Sequence, residues 1–488
     1  MKQKSVGINA ILNVIRQACV IIFPLITFPY ISRVLGVDNY GKINFGNSVI
    51  QYFVLLATLG VTNYAIREGA WLRNNKKEIN KFASQVFTIS IITTVLSYIL
   101  LVITIILWPK LHGYWLLLAI QSLTIFLNII GVDWVNSVFE DYFYLTLRFI
   151  IVQIFSIIAM FIFVKKPEDY LIFAGIQTFA QAGANLANVI HIRRYIKLKL
   201  VSRPNVKRHI VPMITMFANA LSVQIYVNAD TTMLGIFKND TAVGCYSVAA
   251  KIYFMVKQML NAVLVVTIPR VSSYLGENRI KEYNQLLDKT FHFVVSLTLP
   301  AITGFFVLSY DVIFLIGGAE YLEGHISLKI LSIALFGNVF ATYFNNVILI
   351  PNRKEKYFLI AAVTASIINI LLNLFFIPFW SFNGAAITTV IAEFTIMAFG
   401  FYYSKGLYDF KLNARDIIST VVGCFLIAII CIAIQFFISD SILRIIITIP
   451  TSLLMYGIVM IVLKNRLAQF GISIVKKFIK NKFVSFLK

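Results

Sequence analysis

Apolar runs of about 20 residues recur from one end of this chain to the other, and that is the length a helix needs to cross a hydrocarbon layer. About fourteen such windows can be read: 9–31, 41–63, 82–108, 114–138, 143–164, 170–190, 210–236, 243–268, 290–316, 326–350, 356–378, 384–404, 416–437 and 442–463. A soluble domain must still cover itself with polar groups, and this sequence has too few of them. Of its 488 residues 59% are hydrophobic and 13% charged, against roughly a quarter charged in ordinary soluble proteins. The fold class implied is an all-α polytopic membrane protein. A soluble enzyme, a disordered polymer and a secreted disulfide scaffold are excluded, and runs this long are not the short alternating strands of a barrel.

Charge indicates the orientation. Lys and Arg number 43 against 21 Asp and Glu, a formal charge of +22. The cations gather in alternate connections: Arg67, Arg73, Lys76, Lys77 and Lys81; then Arg193 through Arg208; then Arg270, Arg279, Lys281 and Lys289; then Arg353, Lys354 and Lys356; then Lys405, Lys411 and Arg415. The intervening connections hold only Arg33, Lys42, Lys110, Lys165, Lys166, Lys238 and Arg444. The excess of cations on cytoplasmic loops then predicts a plasma-membrane protein with both termini in the cytoplasm. The same charge serves topology and anionic lipid, so no nucleic-acid partner is expected. Residues 465–488 carry Leu467, Phe470, Ile474 and Phe478 at helical spacing among lysines, which predicts a basic amphipathic tail along the membrane surface. Met1 to Gly7 is too short and polar for a signal peptide, so the first run reads as a retained helix. Cys19, Cys245, Cys424 and Cys431 form no C-x-x-C pair and the five histidines do not cluster, so neither a metal nor a redox cofactor is expected.

Two stretches echo each other. Leu35-Gly36, Gly41, Gly46, Arg67 and Lys77-Glu78 recur as Leu234-Gly235, Gly244, Ala249, Arg270 and Lys281-Glu282, at near-constant separation. The second copy is offset from the first by six windows, an even number, so both insert with the same polarity. The expected organisation is an N-lobe at 1–200, a C-lobe at 201–410, two extra helices at 411–464 and the tail. The lobes should be related by an axis along the membrane normal, with a cavity between them.

Polar residues within the runs mark what must avoid lipid. Asn13, Arg16 and Gln17 share a stripe on the first helix, Asn47 and Gln51 on the second, Gln181 and Asn185 on the sixth, Asn261 on the eighth, Asn369 and Asn373 on the eleventh. Each amide alone is most simply an interhelical hydrogen bond. Arg16 has no acidic residue on its stripe, and an intramembrane guanidinium suits an anionic substrate, best of all a phosphate gripped by two parallel hydrogen bonds. Arg33 and Lys251 are candidate further stations. Asp230 and Lys251 lie at similar depth and could pair or exchange partners during transport. Glu393 is a candidate for proton or sodium coupling, and Lys257 belongs to the same question. Asp133 and Arg148 flank a short connection and read as a structural pair. Gly36 to Lys42 nearly matches a phosphate-binding P-loop, but Ile43 stands where Ser or Thr is needed and no strand precedes it.

Phe28-Pro29-Tyr30-Ile31-Ser32-Arg33-Val34-Leu35-Gly36 with Tyr40-Gly41, and Asn228 to Gly235 continued by Val243 to Ile252, resemble bacterial polysaccharide-unit flippases of the Wzx (RfbX) type. The resemblance implies the multidrug/oligosaccharidyl-lipid/polysaccharide exporter superfamily, alternating access, and an undecaprenyl-pyrophosphate-linked oligosaccharide as cargo. Pathway glycosyltransferases and a polysaccharide polymerase would be neighbours in function. The competing readings are a drug or organic-cation antiporter of the same superfamily and a membrane polymerase. The cationic Arg16 and Lys251 disfavour the first, and the short outer loops disfavour the second.

Overall fold

A computed structural model describes residues 6–202, 204–408 and 413–469. Arg203, Lys411 and the tail from 470 onward lie outside the described residues, as do the side chains of Asn13, Gln17, Asn219, Ser222 and Tyr226. The described chain is α-helical throughout its spans: α1 (Val6–Thr58), α2 (Val61–Leu72), α3 (Lys76–Leu107), α4 (Trp115–Gly131), α5 (Trp134–Val138), α6 (Tyr142–Phe163), α7 (Tyr170–Ala182) and α8 (Ala184–His191). There follow α9 (Val206–Phe237), α10 (Asp240–Gly276), α11 (Ile280–Ile316), α12 (His325–Thr342), α13 (Glu355–Ser404), α14 (Ala414–Phe437) and α15 (Ser441–Val462). Breaks at Gly36 (φ 72°, ψ 170°) and Ser381 (φ 50°, ψ −134°) divide α1 and α13 into two spans each. Joining the short pieces to their parents then yields fourteen spans among the described residues, the expected all-α polytopic class.

The boundaries differ from the apolar windows in an instructive way. The first connection, expected over 32–40, shrinks to Gly36, whose positive φ lets the backbone reverse without a Cβ clash. The near P-loop is therefore helical from residue 37 onward. At the other extreme α10 and α11 run to Gly276 and start at Ile280, well beyond the windows that end at 268 and begin at 290. Hydropathy locates the stretch that lipid demands, whereas a helix continues into polar sequence until a cap stops it. Several starts are capped as the residue types require: Asn75 accepts from Lys77 N and Glu78 N, Asn205 from Arg208 N, Asn413 from Arg415 N and Asp440 from Leu443 N.

The outside of the helices is apolar. Phe379, Phe436 and Phe437 are 81%, 85% and 88% exposed, a waste in water and the natural surface against acyl chains. Among the described residues ten helices are long and apolar enough to cross a membrane, by length and composition alone.

Packing groups the chain into two compact units, Met1–Gly244 and Cys245–Lys488. In the first, α1 packs on α3, α4, α6 and α9, while α4 packs on α7 and α8. The helix Val206–Phe237 thus joins the earlier helices by contact, although the repeat assigns it to the second copy. In the second unit α11 meets α12, α14 and α15, and α12 lies along α13.

One crossing in the first unit shows why the repeated glycines recur. A Cβ on Gly41 would stand 1.9 Å from Asp240 O, and one on Gly244 would stand 2.3 Å from Val37 O. Thr241 Oγ1 donates to Asp38 Oδ1 at 2.5 Å beside them. Equivalent residues of the two copies therefore meet backbone to backbone, which only the smallest residue allows. Gly41→Ala should destabilise the protein by about 1–3 kcal/mol through overpacking, read as a lower Tm in detergent, while Gly113→Ala, with open space at its Cβ, serves as the unaffected control.

A second local device orders the connection between α8 and α9. Lys197 N, Lys199 N and Val201 N donate in turn to Asn80 Oδ1 (2.9 Å), Ser84 Oγ (3.1 Å) and Thr88 Oγ1 (3.0 Å). Alternate residues of an extended strand advance about 6.6 Å and successive helix turns at i+4 about 6.0 Å, so the two registers match.

Candidate functional site: a polar cavity where three helices are interrupted

Three interruptions converge in the first unit. The run from α1 to α2 breaks at Leu59 (φ 40°) and Gly60 (φ 70°), that from α4 to α5 at Val132 (φ 46°), and α7 gives way to α8 at Gly183. Helix breaks at membrane depth expose carbonyl and amide groups that something must satisfy, and they are tolerated where they are covered by protein or line a cavity. Here side chains supply part of the answer. Asn188 Nδ2 donates to the freed Gly131 carbonyl and, at 3.1 Å, to Asp133 Oδ1. Asn136 Nδ2 donates to Asn188 Oδ1 at 2.7 Å, and Asn185 Nδ2 to Asn128 Oδ1 at 3.2 Å.

Between these breaks lies a cavity of about 410 Å³, within the range of small-molecule sites. Thr58, Val61 and Thr62 flank the first break and line it; Val132, Asp133 and Trp134 line it at the second, and Asn185 near the third. Arg16 of α1 also lines it, with Asn128 and Ser90. The Arg16 guanidinium lies 5.6 Å from the Phe149 ring centroid, and among the described residues it makes no ion pair. Asp133 instead pairs with Arg148, whose Nη1 also donates to Ala184 O at 3.0 Å.

Arg148 continues outward. Its guanidinium covers the Tyr144 ring, Tyr144 stacks on His191, and His191 Nε2 lies 2.8 Å from Asp141 Oδ2. Tyr195 OH donates to the same oxygen at 2.8 Å. Burial and that carboxylate together push the Tyr195 phenol upward from its ordinary range.

The second unit holds a different cluster. Glu393 is 1% exposed and accepts from Tyr253 OH at 2.8 Å, Lys257 Nζ at 3.2 Å and Asn338 Nδ2 at 3.0 and 2.9 Å. Asn261 Nδ2 donates to Asn338 Oδ1 at 2.9 Å. Lys257 and Glu393, 136 residues apart and on different helices, thus form one ion pair. Elsewhere in this unit the eleventh-helix stripe turns inward: Asn373 and Asn369 bond each other and Thr388 across the Ser381 break, taking the simple interhelical reading. An apolar cavity of about 440 Å³ is walled by Phe291, Phe336, Phe340, Phe344 and Phe401.

The other sequence candidates are dispersed. Asn47 and Gln51 bond each other on the second span at 3.5 Å. Arg33 is exposed and donates to Pro29 O at 3.2 Å on its own helix. Gln181 is exposed at the end of α7. Asp230 is buried on α9 in the first unit and Lys251 half-buried on α10 in the second. Of the residues singled out in the sequence, Arg16, Asp133 and Asn185 line the polar cavity among the described residues. The structural pair read from sequence forms between Asp133 and Arg148, and the Asp133 side chain, 43% exposed, also lines the cavity. Gly60, the Gly131-Val132-Asp133 step and Gly183, each a flaw in an apolar run, were the signals that could have found this site.

Helices packed in this way, broken within their spans around a polar cavity, make up a polytopic membrane bundle. Comparison of structures agrees. The lipid II flippase MurJ in an inward closed conformation superposes with a TM-score of 0.74 over 92% of this chain and 98% of that one, at 18% identity. An inward-facing multidrug resistance MATE transporter gives 0.57 over 80% and 97%, at 12% identity. By sequence, the protein of Escherichia coli K12 named "Putative O-antigen transporter" is 25% identical over 389 residues, 79% of this chain and 93% of its own length. Lipid II flippase MurJ of Bacillus subtilis is 25% identical over 174 residues, 34% of this chain and 31% of its own length. The pattern of the family described as "Polysaccharide biosynthesis protein" matches residues 6–275, and this chain belongs to that family. It is a multi-pass membrane protein of that family, with the fold of the flippase and transporter structures it resembles.

Proposed function

We propose that the protein carries an undecaprenyl-pyrophosphate-linked oligosaccharide from the cytoplasmic to the outer leaflet of the bacterial plasma membrane, for capsule, exopolysaccharide or O-antigen-type surface polysaccharide. The observation that carries this reading is the guanidinium of Arg16 in a polar cavity made at three helix breaks. A guanidinium that makes no carboxylate pair among the described residues suits a phosphoryl group, and surrounding amides and hydroxyls suit sugar. Both termini lie in the cytoplasm in this reading, as the distribution of Lys and Arg requires. An ion gradient, of protons or sodium, couples through the Glu393–Lys257 pair or Asp230, and glycosyltransferases and a polymerase of the same pathway supply and consume the cargo. Organic cations are the poorer cargo, since Arg16 repels them and the Asp133 carboxylate is already taken by Arg148.

Proteoliposomes loaded on one leaflet with fluorescent undecaprenyl-diphosphate-linked sugar test this directly. Transfer to the other leaflet, measured as loss of protection from a membrane-impermeant quencher, is the expected result. Absence of transfer together with ethidium uptake would favour the antiporter instead.

A further inference from the structure

We propose that Asp133 is the centre of a sugar-binding subsite in the cavity of the first unit, taking hydroxyl groups of a neutral hexose attached to the phosphate; this rests on the reading of Arg16 as the phosphate contact. The carboxylate is held for that task. Its Oδ1 receives the Arg148 guanidinium and, at 3.1 Å, the Asn188 amide. Asn188 is in turn fixed by Gly131 O and by Asn136. Among the described residues Oδ2 receives no hydrogen bond, and the side chain lines the cavity. A carboxylate anchored by one oxygen and open at the other is a directed acceptor for a hydroxyl.

The charges select the class of ligand. Arg148 is 7% exposed on its side chain and neutralises Asp133, so a cation meets a carboxylate already paired, and a second anion meets repulsion. A neutral polyhydroxylated group pays neither cost. Among the described residues the rest of the polar wall is neutral as well: Asn128, Asn185, Ser90, Ser137, Thr58 and Thr62. Asn185 spends one amide hydrogen on Asn128, leaving the Asn128 amino group available to donate. Acceptor at Asp133 and donor at Asn128 are the complement of a hydroxyl pair on a sugar ring.

Titration calorimetry on the purified full chain in detergent tests this, with farnesyl diphosphate and glucosylated farnesyl diphosphate as probes. The wild type should bind the glucosylated probe about tenfold more tightly, the worth of one hydrogen bond to a charged group. Asp133→Asn alone leaves the buried Arg148 without its counter-ion, so the decisive protein is the double variant Asp133→Asn with Arg148→Met, which removes both charges. It should bind the two probes alike, with farnesyl diphosphate affinity unchanged. Asn128→Ala, at a half-buried wall position, should reduce the preference about threefold and keeps the test available if the double variant does not fold. Arg16→Ala should weaken both probes equally. A wild-type preference that survives in the double variant, or in Asn128→Ala if only that protein folds, overturns the subsite alone. Unchanged farnesyl diphosphate affinity in Arg16→Ala overturns the phosphate reading beneath it, and equal wild-type affinity for both probes overturns the subsite.

Discussion

Arg16→Ala is expected to abolish leaflet-to-leaflet transfer of the lipid-linked sugar, a loss of at least about 100-fold, while the protein still inserts and purifies normally. The size follows from the contact removed. A bidentate guanidinium–phosphate interaction comprises two charge-assisted hydrogen bonds worth roughly 1.5–3 kcal/mol each. Arg16 has no ion pair among the described residues, so alanine strands no buried carboxylate, and its loss to folding is limited to a contact with Phe149. Arg16→Lys keeps the charge and loses the fork, and should retain a small part of the activity. Transfer at wild-type rate by Arg16→Ala in the quencher assay would remove this side chain from the transport path.

The second large effect is expected at Lys257, and on stability more than on binding. Lys257→Met leaves Glu393, 1% exposed, without its cationic partner; two neutral donors remain, Tyr253 and Asn338. Removing one member of a buried pair costs about 3–5 kcal/mol, because the other charge stays behind in low dielectric. The Tm in detergent should fall sharply. Adding Glu393→Gln to the same chain should restore most of the loss, since the amide keeps the shape and removes the stranded charge. A single variant as stable as the wild type, or a double variant no better than the single, would show that the pair does not hold this unit together. Transport by a restored double variant then reports on coupling separately: a transporter driven through this pair should lose its dependence on the gradient.

Much of the site was visible in the residues before any packing was known. Arg16 stood out because a guanidinium within an apolar run has no bland explanation in lipid. Glu393 and Lys257 both stood out for the same reason, yet their pairing did not, because they belong to different helices, and a pairing across helices leaves no trace in local spacing. Asp133 was recognised with Arg148, and the pair forms; sequence distance reveals a plausible ion pair and says nothing of which oxygen remains open. The amide stripes divided: Asn369 and Asn373 turned to a neighbouring helix, whereas Asn185 reached the cavity wall.

What the sequence by itself determined was the number of spans, the all-helical class and the chemistry that could not face lipid, because transfer of each side chain from water to hydrocarbon is a property of that residue and its window. What only the tertiary structure decided was where three of those helices break, and that the breaks meet. An interruption at Gly60, Val132 or Gly183 is affordable only when another helix brings an amide or hydroxyl to the freed backbone, and that depends on which helices lie side by side.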